Sequence, residues 1–294
     1  MGEPARKLSR GEIEGPGSEL LDDDDSEDSE VSLLERWVER PDGTFEQVLR
    51  PLTPEDYLNP QMGDKWLQGR AHSDFVTHLP PLLRHHFRSR PDVVVTHDLQ
   101  HRFGRGYPKP CPDISIAKGV RDRNLINTYF SVSKVGVLPC LLIEVISPKD
   151  KRIRRVDEED KRELYQEVGI PEYVLMLPPQ VGETDQRFQI WGYRLGRRRR
   201  YVPIQPDEKG RLLSETTLLL FGISPSGDRL EVFDAGTGEQ LLDLDQQEDA
   251  RQAAERRAEA AESKAARETE SRKAAEEELA RLRAELERLS SAGD

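Results

Sequence analysis

With only two cysteines in 294 residues, Cys111 and Cys140, the chain has no disulfide framework and no cysteine-built zinc site. Each reads as a reduced, partly buried thiol. Long apolar runs are missing too. No window approaches the roughly 18 apolar residues of a membrane span, and no charged-then-apolar leader opens the chain. We therefore expect a cytoplasmic protein with no membrane partner. There is no Walker-type glycine loop and no Gly-x-Ser-x-Gly elbow, so nucleotide hydrolysis and serine-hydrolase chemistry have little support.

A positive balance is also lacking, since the net charge is −12. Spread evenly, that charge would repel a polyanion, but most of it lies in the ends. Residues 1–30 hold 11 acids and 3 bases, and residues 246–294 hold 13 acids and 10 bases, which leaves −1 for residues 31–245. Within that near-neutral core, bases cluster at Lys149, Lys151, Arg152, Arg154 and Arg155 and again at Arg197 to Arg200. Either run can meet a phosphate backbone, or be a solvated loop and a hairpin tip.

The organisation follows from these shifts in composition. Residues 1–30 read as an acidic disordered tail, because like charges repel and little is available to bury. One globular domain is expected over 31–245. It opens with two short strands around a Pro-Asp-Gly turn, then a helix start at Thr53, with Pro54 in the first turn and Asp56 as a capping-box acid. Helical spacing from Ala71 to Phe87 contains Pro80 and Pro81, which predicts a kink or two shorter helices.

Strands are expected at DVVVTHDLQ, CPDISIAKG, LPCLLIEVIS and EYVLML. A helix from Asp157 to Val168 is closed by Gly169, and two hairpins, RFQIWGYR/RRRRYVPI and DRLEVFDAGTGEQLL, decorate the sheet. The fold class is α/β: a mixed sheet flanked by helices and hairpins. Residues 246–290, rich in Ala, Glu and Arg, form one long helix. Leu279, Leu282, Leu286 and Leu289 make a coiled-coil seam that alanines continue backward, and residues 291–294 are a disordered end. The alternative for the coil is a lone solvated helix.

Two acids stand among apolar residues, Asp113 in CPDISIA and Glu144 in LLIEVIS. A buried carboxylate needs a hydrogen-bonded role, an ion pair or a cation. If the two strands are neighbours, both acids can hold one hard dication such as Mg2+; structural pairing is the competing reading. On the following helix Asp157, Lys161, Tyr165 and Gly169 recur every four residues. Lys161 there can point at the sheet and orient a metal-bound water, or simply pair with Asp157 on a surface helix. His97 and His101, four apart, lie where strand leads into loop, and adjacent His85 and His86 diverge, so no second metal site is indicated.

A proline-aspartate strand, then Glu-Val-Ile-Ser-Pro, then Asp-x-x-x-Lys-x-x-x-Tyr-x-x-x-Gly and Ile-Pro-Glu-Tyr together resemble the Uma-type family of putative restriction endonucleases, within the PD-(D/E)xK nuclease superfamily. The likeness runs from Arg40 to Leu242 and extends to members ending in an Ala/Glu/Arg-rich coil. It implies a restriction-endonuclease-like core, with Asp113 and Glu144 as metal-binding and catalytic acids. The superfamily lysine two residues after the glutamate is here Ile146, and the resemblance implies that Lys161 takes over, with Tyr165 on the same face. It also matches His72 to a histidine near the entrance of the family's site, although on its own His72 reads as a cap or surface residue.

The expected function is a Mg2+- (or Mn2+-) dependent endonuclease acting on nucleic acid, DNA by preference, and assembled as a homo-oligomer by its coil. The alternative is a non-catalytic nuclease-like module that binds nucleic acid or protein.

Overall fold

The Pro-Asp-Gly turn closes a hairpin in which β1 (Leu33–Glu39) pairs antiparallel with β2 (Phe45–Pro51), and β3 (Lys65–Trp66) joins the other edge of β1. Between β2 and β3, α1 (Pro54–Leu58) has only five residues and depends on its cap. Asp56 N donates to Thr53 Oγ1, and Thr53 N donates back to the Asp56 carboxylate. A small apolar cluster of Leu34, Leu52, Tyr57, Ile153 and Val156 fastens this unit to the helix that follows the central strand. The computed structural model describes residues 31–66, 70–146, 150–179 and 187–291. The acidic tail expected over 1–30, Lys149 of the first basic run, and residues 292–294 of the expected disordered end lie outside these.

α2 (Arg70–His86) runs unbroken through Pro80 and Pro81, where a kink or a break was expected. Interior proline costs about 3 kcal/mol or more. Leu79 and Leu83 on this helix, with Phe87 just after it, are buried against the sheet. At roughly 1.5–3 kcal/mol per buried side chain, their packing outweighs the lost hydrogen bonds.

The next elements are β4 (Val94–His97), β5 (His101–Arg102), β6 (Ile114–Ala117), β7 (Phe130–Ser131), α3 (Val132–Val135), β8 (Pro139–Val145), α4 (Lys151–Arg155), α5 (Lys161–Val168), β9 (Glu172–Leu177), β10 (Gln189–Leu195) and β11 (Tyr201–Pro203). Six of these strands form the central sheet in the order β11-β10-β9-β8-β6-β4. β8 and β9 are parallel, joined by the α4–α5 crossover; all other neighbours in the sheet are antiparallel. β8 is therefore flanked on both edges and buried on both faces, as its near-continuous apolar run requires. Leu141 and Ile143 face the α2 side, whereas Leu142 and Glu144 face α5.

Three expectations need correction. The helix expected from Asp157 begins at Lys151, capped by Asp150, whose carboxylate accepts from Arg152 N and Ile153 N. α4 and α5 are joined by a wide π-helical turn, Val156–Asp160. The described part of the first basic run is thus helical, not loop, and Arg154 and Arg155 pair with Glu158 and Glu159.

The RFQIWGYR hairpin is β10–β11, an integral edge of the central sheet and no mere decoration. The DRLEVFDAGTGEQLL hairpin belongs to a second, four-stranded sheet of β12 (Leu212–Ser214), β13 (Leu219–Ile223), β14 (Leu230–Asp234) and β15 (Gln240–Leu241). Two of its strands were not foreseen. They are short, and their burial comes from packing on the α2 face of the central sheet, where Phe221, Leu219 and Val232 join the main core. α6 (Leu244–Ser291) then extends for 48 residues. No helix among the described residues is long and apolar enough to cross a membrane.

Candidate active site

Asp113 stands one residue before β6, not within it, yet the sheet still positions it. Ile114 pairs with Ile143, so the same antiparallel register carried one step further sets Asp113 opposite Glu144 on the α5 face. Two bonds lock the arrangement: Val145 N donates to Asp113 Oδ2 at 2.6 Å, and Asp113 N donates to Glu144 Oε2 at 3.3 Å.

From the other side, the π-helical turn and the first turn of α5 bring up Asp157, Lys161 and Tyr165. Lys161 Nζ lies 3.0 Å from Glu144 Oε2 and 2.8 Å from Asp157 Oδ1. Both readings of Lys161 therefore hold together, the sheet-facing lysine and the pair with Asp157, but on a helix face from which water is excluded. Lys161, Glu144 and Asp157 are each 0% exposed. Tyr165 OH donates to Glu144 Oε1 at 3.0 Å.

His72, on α2, is buried with its Nδ1 3.0 Å from Val145 O and its Nε2 3.4 Å from Asp113 Oδ1. It closes the Asp113 side of the cluster and is neither a helix cap nor a surface residue. The structure thus brings together all five residues singled out in the sequence: Asp113, Glu144, Lys161, Tyr165 and His72. It leaves His97 and His101 outside the cluster. His101 is buried against Phe130 and bonded to Leu99 O and Ser115 Oγ, and burial pushes its imidazole down to about 4.

Three further members were missed. Asp157 stood out in the sequence only as a partner for Lys161, through its i,i+4 spacing to that lysine. Tyr57 lies 100 residues away; its ring sits 4.1 Å from Lys161 Nζ and its OH lies 3.4 Å from Asp157 Oδ2. Asp98, whose backbone N–H donates to Asp113 O at 3.3 Å, completes the acidic group. Nothing local to residues 57 or 98 signals these contacts, which arise only from the docking of α1 and from the β4–β6 pairing.

The electrostatics follow from burial. Burial drives the Glu144 carboxyl well above its ordinary value, and Lys161 offsets this only in part while Asp113 and Asp157 add to it. The same burial raises Asp157 to about 6. Asp113 goes the other way: burial pushes it up, but the His72 charge and hydrogen bond, with Lys161, hold it below the usual carboxylate range. His72 is raised to about 9 by Asp113 against its own desolvation. Burial lowers Lys161, yet Asp157 and Glu144 lift it well above an ordinary lysine, so it stays protonated.

Three interior carboxylates thus face two cations, the Lys161 ammonium and the His72 imidazolium, and Glu144 is the acid whose ionisation burial opposes most. Two carboxyl oxygens held side by side, one of them on an acid whose ionised form burial disfavours, suit a hard dication, whose charge would favour that ionised form. Among the described residues no group of three or more His, Cys, Asp or Glu side chains is arranged to hold a metal. A cation here would rest on the Asp113 and Glu144 carboxylates, leaving its other positions to carbonyl oxygen and water.

A cleft of about 870 Å³ opens onto this cluster between the β1–β3 unit and the loops around Gln100, Lys109 and Tyr129, with Asp113 and Tyr57 among its lining. Glu144 and Lys161 do not line it. Tyr57, in contact with both the cleft and Lys161, separates them from it.

No protein of curated function matches the sequence. Among solved structures the chain is similar to a putative nuclease belonging to DUF820 from Anabaena variabilis ATCC 29413. The two are 17% identical with a TM-score of 0.38, and the match covers 57% of this chain and 91% of that one. So remote a likeness carries no argument about chemistry. The family match covers far more of the sequence than the site alone: residues 63–247, more than half of the chain, match Uma2, putative restriction endonuclease, and the chain belongs to that family.

Proposed function

We propose that this chain is a Mg2+- or Mn2+-dependent endonuclease that hydrolyses phosphodiester bonds in DNA. The observation that carries the reading is the pair of buried acids, Asp113 just before β6 and Glu144 in β8, set opposite one another with Lys161 against Glu144. Asp113 and Glu144 would hold the ion, which when bound supplies charge to polarise a phosphoryl oxygen and acidify a water. Lys161 holds its proton throughout, so it serves as a fixed positive charge that orients water and offsets charge building on the phosphoryl group; it is not a base. Tyr165, whose hydroxyl burial keeps protonated, is a permanent donor that fixes the Glu144 carboxylate. His72 aims Asp113 by spanning Val145 O and Asp113 Oδ1. Pairing of chains through α6 would present two sites to the two strands of a duplex.

A second reading is a non-catalytic nucleic-acid- or protein-binding module, favoured by one observation: Glu144 and Lys161 are wholly buried, with Tyr57 between them and the cleft. Cleavage assays on plasmid and single-stranded DNA with Mg2+ and Mn2+, paired with calorimetric titration of each metal, separate the two. The nuclease cleaves with metal, and Asp113→Ala and Glu144→Ala both lose metal binding and cleavage while remaining folded. Metal uptake without cleavage supports the binding module. Unchanged metal affinity in both variants removes the site.

A further inference from the structure

The two walls of the cleft are tied at one end. Gln100 Nε2 donates to Pro60 O at 2.9 Å, and Lys109 N donates to Asn59 Oδ1 at 2.8 Å. Arg102, on the wall formed by β5, lines the cleft, and it differs from the arginines of β1 and β2, which lie outside the cleft lining. Arg36 and Arg50 are gripped by Asp64 and Asp56, whereas Arg102 has no acidic partner among the described residues. Its Nε donates to Gln100 Oε1 at 3.0 Å, and its guanidinium carbon lies 3.6 Å from the Tyr129 ring centroid. Tyr129 is itself fixed, accepting at its hydroxyl from Lys134 Nζ at 2.6 Å. A guanidinium held by its Nε and by a ring against its carbon keeps Nη1 and Nη2 free, in the planar fork that suits two oxygens of a phosphate. Lys109, exposed on the same side of the cleft, is likewise without an acidic partner among the described residues.

Arg102 also lies within limited reach of the acids. Asp98 N bonds to Asp113 O and His101 N to Pro110 O, so the 98–102 segment runs beside the segment that carries Asp113. Arg102 lies four residues beyond Asp98, at most about 14 Å along an extended backbone. That bound places the guanidinium within reach of a phosphate up to a few nucleotides along the strand from one held at Asp113.

We infer that Arg102, buttressed by Tyr129 and assisted by Lys109, anchors a backbone phosphate flanking the bond cleaved at Asp113. The substrate is then a polynucleotide strand that continues past the cleavage position, not a mononucleotide or a small phosphodiester. The inference rests on the phosphodiesterase reading of the site but concerns a different part of the cleft. Pre-set geometry is what makes the anchor effective, since the ordering cost of the arginine is met before the strand arrives.

The test is fluorescence anisotropy of the full chain with labelled single-stranded oligonucleotides in EDTA over a range of salt, with DNA and RNA of one sequence in parallel arms and a dinucleotide as the short probe. Arg102→Ala and Arg102→Gln should each weaken binding of the longer strand about tenfold or more. Each should also flatten the logarithmic salt dependence by about 0.7, the share of a single neutralised phosphate on one strand. Arg102→Lys should keep the salt slope, because the charge remains, but not the full affinity, because an ammonium lacks the planar two-pronged fork. Tyr129→Leu should lose part of the affinity, and the dinucleotide should bind parent and variants alike. Unchanged melting of Arg102→Gln separates lost binding from lost fold. Equal affinity and salt slope in both Arg102→Ala and Arg102→Gln overturn the anchor, as does a parent that binds no oligonucleotide. Cleavage read separately distinguishes the two ideas. A parent that binds through Arg102 but never cleaves with Mg2+ or Mn2+ keeps the anchor and loses the nuclease; cleavage with Arg102 variants indifferent does the reverse.

Discussion

Glu144 and Glu172 lie on neighbouring parallel strands, both 0% exposed, and they are satisfied in opposite ways. Glu172, at the start of β9, accepts from Arg194 Nε, Ser214 Oγ, Glu215 N, Thr216 N and Thr216 Oγ1, which ties the central sheet to the start of the second sheet. Glu144, near the end of β8, has one tyrosine hydroxyl, one long backbone bond and a lysine shared with Asp157. A buried acid with every lone pair used is holding the fold together. One left short, among other acids, keeps a place for charge from outside.

The sharpest way to break this contrast is to neutralise each acid in turn. Glu144→Gln should reduce cleavage below detection and remove the rise in melting temperature that metal gives, while the metal-free protein melts at or above the parent temperature, because mutual repulsion is relieved. Glu172→Gln should do the opposite, leaving Arg194 only its exposed partner Glu215 and removing the charge that five donors converge on, at a cost of about 2–4 kcal/mol, with metal binding per folded molecule intact. Calorimetric melting with and without Mg2+ reads both; matching behaviour of the two variants would end the distinction.

Next in size is Lys161→Ala, expected to lower cleavage about a hundredfold with metal affinity little changed. Cleavage at the parent rate in that variant would show that its ammonium serves packing alone.

How far the sequence foretold this site depends on distance along the chain. Asp113 and Glu144 were legible because a lone acid in an apolar run is conspicuous, and Lys161 and Tyr165 because they share a four-residue spacing. Tyr57 and Asp98 were not, since their meaning depends on which surfaces dock and no local pattern carries that. In the fold, the strongly periodic or fully apolar strands were readable. β12 and β13 were not, because strands of three and five residues owe their form to the face they cover. The double proline misled for a related reason: local cost was visible and tertiary gain was not.

A subtler probe is the pH dependence of the metal-free fold. His72 is raised to about 9 from an ordinary 6.5 and Asp157 to about 6, so over both windows the native state binds more protons than the unfolded one. Stability should fall as pH rises. The His72 contribution, full below about 6.5 and lost through pH 9, is worth up to roughly 3 kcal/mol. Asp113, held below its usual range, acts in the opposite sense and is lost only toward strong acid. His72→Gln should flatten the chemical-denaturation profile between pH 6.5 and 9; an unchanged slope would mean that the charge on His72 does not matter there.

The smallest effect on the core should come from removing α6. Leu279 and Leu282 are half exposed, at 50% and 52%, a seam that fits pairing with another chain but takes no part in the buried clusters. Truncation after Asp245 should leave the melting temperature of the core unchanged while the mass at sedimentation equilibrium falls by a whole-number factor relative to the full chain. A truncated core that keeps the full oligomer number must carry its own interface.

The wide turn at Val156–Asp160 has a consequence for how this helix tolerates change. An α-helix advances about 100° per residue, so a turn that takes up extra chain re-aims everything after it relative to everything before. Upstream, Arg154 and Arg155 face outward; downstream, Lys161 and Tyr165 face the sheet. The turn is a rotational joint between two halves of one rod. Exchanging side chains on either half leaves the other's heading alone, and deleting one residue within the joint would only close it to an ordinary α-turn, whereas inserting one more would swing Lys161 by about 100° and carry its charge away from both carboxylates at once.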